Sequence, residues 1–267
     1  MIGCRCDVCT SPDPRDRRTR SSVVFADDST RVLVDATPEL RLQCLACDIR
    51  HIDAVVFTHA HADHIMGIDD LRRFNAISGR PLDAWMDPVA RATIDQCFGY
   101  ALREPTERGV FRPQLVPRTI VGPFEIGAMT FRPIPLLHGS ARILGFRVGN
   151  IAYCTDASGI PDESWAMLEG LELLVLDALQ DVKHPTHFTI DEAVEVVDRV
   201  KPRRTLFTHM SHRVMHERDS KRLPAGVEFG DDGVVVEGEA RRRIAPSHGS
   251  TMRSMPTCRC CRRTRRF

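Results

Sequence analysis

Short apolar runs alternate along this chain with stretches of helical spacing. Residues 22–25 and 31–34 flank the polar Asp27-Asp28-Ser29, a pattern that predicts a hairpin. Residues 38–47 read as a helix, 54–58 as a buried strand, and 69–78 and 88–100 as helices. The Pro- and Arg-rich stretch 103–118 predicts a loop. Further strands are predicted at 129–134, 145–148, 151–154, 173–176 and 205–208, and helices at 163–170 and 189–200. With no internal repeat and no flexible linker before residue 239, the economical reading is one α/β domain over residues 1–239.

Composition adds an exclusion. Of 267 residues, 42% are hydrophobic and 27% charged, a globular rather than a disordered balance. No apolar run approaches the ~20 residues of a membrane helix, and the opening MIGCRCDVC lacks a signal peptide's apolar core. A membrane partner is therefore not expected, and the expected location is cytoplasmic. The net charge of +1 conceals an asymmetry: residues 240–267 hold nine arginines and no acid, so +9 there leaves −8 for residues 1–239. That basic tail has no hydrophobic periodicity and is expected to be disordered, and its Cys258, Cys260 and Cys261 to be incidental.

Candidate chemistry begins where the strand at 54–58 ends. His59, His61, Asp63 and His64 fall within six residues, H-x-H-x-D-H, directly before a helix. Imidazole and carboxylate together suit borderline divalent metals. His59 and His61 can face one ion, while Asp63 and His64 are offset towards a second. His138, Asp156 and His209 each repeat the placement, following predicted strands, and would complete a dinuclear site along one sheet rim. Ions about 3.5–4 Å apart can share a hydroxide at neutral pH, the expected nucleophile. A separate set lies at Cys4, Cys6 and Cys9, whose C-x-C-x-x-C spacing lets three sulfurs converge on a tetrahedral zinc. The natural fourth ligand is His212, three residues beyond His209.

These motifs resemble the metallo-β-lactamase superfamily from about Ile2 to Glu237. The resemblance implies a four-layer αββα sandwich, with His59, His61 and His138 on one metal, Asp63, His64 and His209 on the other, and Asp156 bridging. Asp177 is the competing bridge, and Asp35 would support a ligand from behind. The strings GCRCDVC, SPDPRDRRTRSS, DATPELRLQ, FTHAHADHIMGIDDLR, HPTHFTIDEA and FTHMSH narrow the resemblance to the cyclic-phosphate phosphodiesterases of carbon–phosphorus lyase pathways. That family implies opening of 5-phosphoribosyl 1,2-cyclic phosphate to ribose 1,5-bisphosphate, two active-site manganese or zinc ions and a homodimer. It also implies a role for His187 near the leaving group, as general acid, with His184 the weaker alternative. The family's usual first strand is expected to be missing. Arg15, Arg17, Arg18 and Arg20 are candidates to meet a second phosphate, against the simpler reading of an exposed basic loop. Rival readings are a transfer-RNA 3′-processing ribonuclease, disfavoured by the acidic body, another hydrolase such as a thioesterase, and a zinc-stabilised binding protein. Cys44 and Cys47 are expected to pack rather than react.

Overall fold

The computed structural model describes residues 1–103 and 111–237; the basic tail predicted from residue 240 lies outside them. Two sheets are built in succession. The first has the order β1 (Val23–Ala26), β2 (Arg31–Val34), β3 (Ala54–Val56), β4 (Leu82–Met86) and β5 (Leu115–Thr119), with β1 antiparallel to β2 and the others parallel. Between them run α1 (Leu40–Ala46), the single turn α2 (Ala62–Ile65), α3 (Arg72–Ser78) and α4 (Pro88–Leu102).

The second sheet contains β6 (Phe124–Ile126), β7 (Met129–His138), β8 (Ala141–Val148), β9 (Ile151–Cys154), β10 (Leu173–Asp177), β11 (Arg204–Thr208) and β12 (Val227–Phe229). Its spatial order is β12-β11-β10-β9-β8-β7-β6. Among the described residues, the α-helices α5 (Asp162–Trp165), α6 (Ile190–Val200) and α7 (His216–Ser220) accompany it.

Period-2 alternation explains the layering. In β2 and β3, Val32, Val34, Ala54 and Val56 face one way and join Phe131, Phe146 and Tyr153 of the second sheet in an inter-sheet core. Leu33 and Val55 face the other way and meet Leu40, Ile68, Phe74 and Ile94 beneath the helices. The outer face of the second sheet buries Leu174, Leu176 and Phe207 against Ile190, Ala193 and Val196 of α6. Thr189 fixes the start of α6 through a capping box with Glu192. The layers are helix, sheet, sheet, helix, the predicted sandwich.

Two departures have clear reasons. Part of the stretch predicted as loop is β5, because Pro117 falls on the edge strand of its sheet, where a missing N–H disrupts no further ladder. Likewise β7 does not stop at Ile134. Pro133 and Pro135 lie beyond the short pairing with β6, so the strand continues along β8 to His138, with a bridge from Leu137 to Gly159 on its other side. β1 is an edge strand.

Parallel pairing decides where strand ends fall. β9, β10 and β11 run in register, Leu176 opposite Cys154 and Asp177 opposite Thr208, so their C-terminal ends share one rim. β2 and β3 do the same in the first sheet, Val34 opposite Val56. The Leu144 N–H donates to the Thr58 carbonyl at 3.1 Å, joining the two rims.

Candidate metal centre

Each strand on the shared rim ends in a candidate ligand. Thr58 and His59 follow β3, His138 closes β7, Asp156 follows β9, Asp177 closes β10 and His209 follows β11. Asp35, Asp156 and His209 have positive φ angles of 67°, 58° and 60°. This left-handed conformation is uncommon for residues with a side chain and turns each one sharply off its strand.

The donor atoms form two groups. Those of His59, His61, His138 and Asp156 lie within 4.8 Å of one another, and so do those of Asp63, His64, Asp156 and His209. Asp156 belongs to both groups and is only 2% exposed. Its carboxylate lies 3.2 Å from His64 Nε2, 3.4 Å from His209 Nε2 and 3.8 Å from His59 Nε2. Asp63 lies 3.5 Å from His209 Nε2. Asp177 is not at this junction; with His187 and His209 it makes a third donor set beside it, its carboxylate 3.0 Å from His187 Nδ1 and 3.9 Å from His209 Nδ1.

Three of the ring nitrogens facing away from the centre are tied down, those of His59, His64 and His138. His59 Nδ1 donates to Thr58 Oγ1 at 2.9 Å, whose hydroxyl donates to Asp35 at 2.8 Å. His64 Nδ1 donates to Asp35 at 2.8 Å, and His138 Nδ1 to the Asp156 carbonyl at 2.6 Å. With Nδ1 carrying the proton, Nε2 keeps its lone pair for the centre, the usual arrangement behind metal-bound histidine. His59 Nε2 and His64 Nε2 are buried without a hydrogen-bond partner. Buried polar atoms cost free energy when unpaired, and a divalent ion is the partner this donor set fits.

Electrostatics agree. Burial, then the neighbouring His64, holds His59 down at about 3, neutral as a ligand must be. Burial opposes charge on His64, yet the Asp35 and Asp156 carboxylates override it and push it up to about 11. His209 is raised to about 9 the same way, against burial, chiefly by Asp156. Asp63 is held well below the usual carboxylate range by its hydrogen bond with His209. The half of the centre around His64 and His209 therefore demands positive charge, as protons or as a cation.

His187 sits beside both groups, its ring stacked 4.7 Å from that of His209 and edge-on at 4.9 Å to that of His138. Its Nδ1 donates to Asp177 Oδ2 at 3.0 Å. Burial pushes the Asp177 carboxyl up to about 6, against the pull of His187. This pairing was missed from sequence, although Asp177 ends a strand as the other donors do. His184 is further out, with Nδ1 accepting from Thr186 and its ring 5.1 Å from that of His187.

Cys4, Cys6, Cys9 and His212 also converge, with His212 Nδ1 at 3.6 Å from Cys4 Sγ and 3.5 Å from Cys6 Sγ. The Cys9 N–H and His212 lower the Cys6 thiol to about 6, favouring the thiolate that binds metal. The arginines expected near a second phosphate are mostly engaged within the chain. Arg15 pairs with Asp13, Arg20 with Glu39 and Arg18 with Asp16; Arg17 is exposed. Cys44 is half-buried against the first-sheet helices.

A model of the Beta-lactamase superfamily domain matches residues 30–210. A solved structure described as a new diphosphatase from the PhnP family is 40% identical, with a TM-score of 0.83, covering 89% of this chain and 92% of that one. The chain belongs to the metallo-β-lactamase superfamily of hydrolases and, within it, to the PhnP type.

An octanoyltransferase from Porphyromonas gingivalis is 32% identical over 236 residues, 87% of this chain but 48% of that protein. The chain thus spans about half the length of that relative. The short form of human tRNase Z, 19% identical with a TM-score of 0.65 over 85% of this chain and 94% of that one, shares the fold. Among the described residues, no helix is long and apolar enough to cross a membrane.

Proposed function

We propose that this chain is a metal-dependent phosphodiesterase of a small phosphorylated ribose, opening 5-phosphoribosyl 1,2-cyclic phosphate to ribose 1,5-bisphosphate. One observation carries this reading: two donor groups meet at Asp156, with the Asp177-anchored His187 stacked beside them. His59, His61, His138 and Asp156 would hold one divalent ion, and Asp63, His64, His209 and Asp156 the other, manganese or zinc. Ions bound there supply an ionised water at neutral pH and screen the negative phosphodiester.

The chain's own residues do the rest. Asp35 and Thr58 fix the ligand rings from behind. His187, its Nδ1 committed to Asp177, keeps Nε2 to give a proton to the departing ribose oxygen as the P–O bond breaks. A structural zinc on Cys4, Cys6, Cys9 and His212, a homodimer and a cytoplasmic setting belong to the same proposal.

The 40%-identical relative supports attack at phosphorus, and its description as a diphosphatase favours a second reading, cleavage of a P–O–P linkage. The ribonuclease reading has support from a Gemmatimonas aurantiaca ribonuclease Z, 22% identical over 269 residues, 79% of this chain and 85% of that protein. The −8 charge of residues 1–239 opposes a long polyanion. Side-by-side assays of the ribose cyclic phosphate, a diphosphate diester and precursor transfer RNA decide among them. The cyclic ester should be turned over at least about a hundredfold faster than the others, a discrimination of about 2.7 kcal/mol. Preference for either rival overturns the reading.

A further inference from the structure

The segment following His209 is gripped by two residues outside both donor groups. Arg18 donates from Nη1 to the carbonyls of Ser211 at 3.4 Å and Val214 at 3.0 Å, and from Nη2 to Asp16 at 3.1 Å. Asp16 in turn accepts from the His216 N–H at 2.8 Å. The side chains of Arg18 and Asp16 are only 10% and 1% exposed. An ion pair this buried is held at a cost in desolvation and is weak evidence for stability alone.

What the pair holds is the exit of β11. His209 occupies the left-handed region at φ 60°, a conformation that persists only where the surroundings over-determine it. On one side, the Ser211 N–H donates to the Leu179 carbonyl at 2.8 Å and the Ala178 N–H to the Thr208 carbonyl at 3.0 Å. Arg18 and Asp16 close the other side, so residues 209–216 are fixed from both.

We propose that Arg18, supported by Asp16, is a positioning residue for His209, holding its Nε2 in reach of Asp63 and Asp156. This rests on the two-ion reading above. His59, His61 and His138 come from elements that Arg18 does not touch, so the first ion is an internal control.

The test is titration of the full chain with manganese(II), an ion that thiolates bind poorly, followed by equilibrium dialysis and electron paramagnetic resonance. Wild type should take up two ions with a spin-coupled spectrum. Arg18→Met should weaken the second ion by about ten- to a hundredfold, as loss of a partner behind a ligand does. The first ion's affinity should hold, and the spectrum should revert to that of an isolated ion. Arg18→Lys, which keeps the charge without the fork, should fall between.

If both variants bind two ions as wild type does, or weaken both in parallel, the positioning role is overturned. If Arg18→Met does not fold, the lysine variant decides by the same criteria. Wild type binding fewer than two ions would instead overturn the reading beneath.

Discussion

The two halves of the centre are assembled by different means. In the first sheet, one loop leaving β3 delivers His59, His61, Asp63 and His64 within six residues. In the second, His138, Asp156 and His209 arrive singly from the ends of β7, β9 and β11. A local motif can be carried by one turn. A distributed one depends on parallel register bringing distant strand ends to one rim. Asp156 is the residue on which the two designs meet.

Removing that meeting point should have the largest effect. Asp156→Ala should abolish uptake of both ions and drop phosphodiesterase turnover to that of the metal-free protein, as read by metal analysis and assay. Retention of a second ion beyond the thiol-bound zinc would show that the halves are independent. The pH dependence of ion uptake separates them next. His64 and His209, held at about 11 and about 9, carry protons at neutral pH that an ion must displace. Affinity at that half should therefore rise with pH, roughly tenfold per displaced proton and pH unit, with two protons displaced below about 9 and one from there to about 11. His59, at about 3, has no proton to lose there. Calorimetry in buffers of different ionisation enthalpy counts the protons.

His187 tests the distributed half as an acid. Its alanine variant should lose about 10²–10⁴-fold in turnover on an alkyl ester, and far less on bis-p-nitrophenyl phosphate, whose leaving group needs no proton. Equal losses on the two substrates would remove the acid role. The smallest effect falls on the local half. A Cβ at Gly67 would lie 2.0 Å from the Thr37 carbonyl oxygen, so Gly67→Ala should cost about 1–3 kcal/mol. Denaturant unfolding reads this directly.

Legibility in the sequence follows the same division. H-x-H-x-D-H could be read directly because its donors are neighbours. His138, Asp156 and His209 were legible through their common place after strands. Asp177 shares that placement, but its partner His187 sits on a separate loop, and pairing across loops leaves no periodic signal. β4 was missed because Leu82–Met86 combines Asp83 with a half-buried Trp85, too little contrast for a strand signal. β5 was hidden by its proline. The positive φ angles of Asp35, Asp156 and His209 follow from rim geometry, which a one-dimensional pattern does not encode. Arg18 looked like one of several surface arginines and is instead buried against the loop after β11.

The paired-ion centre is tested most directly by metal content per chain, measured by elemental analysis on wild type, His59→Ala and Cys4→Ser. Wild type should carry three ions, two at the centre and one on the thiols. Cys4→Ser should lose a single zinc and keep the pair, and His59→Ala should lose ions from the centre while keeping the thiol-bound zinc. A wild-type protein holding one ion or none, or a His59→Ala variant with the full wild-type complement, would contradict a dinuclear centre.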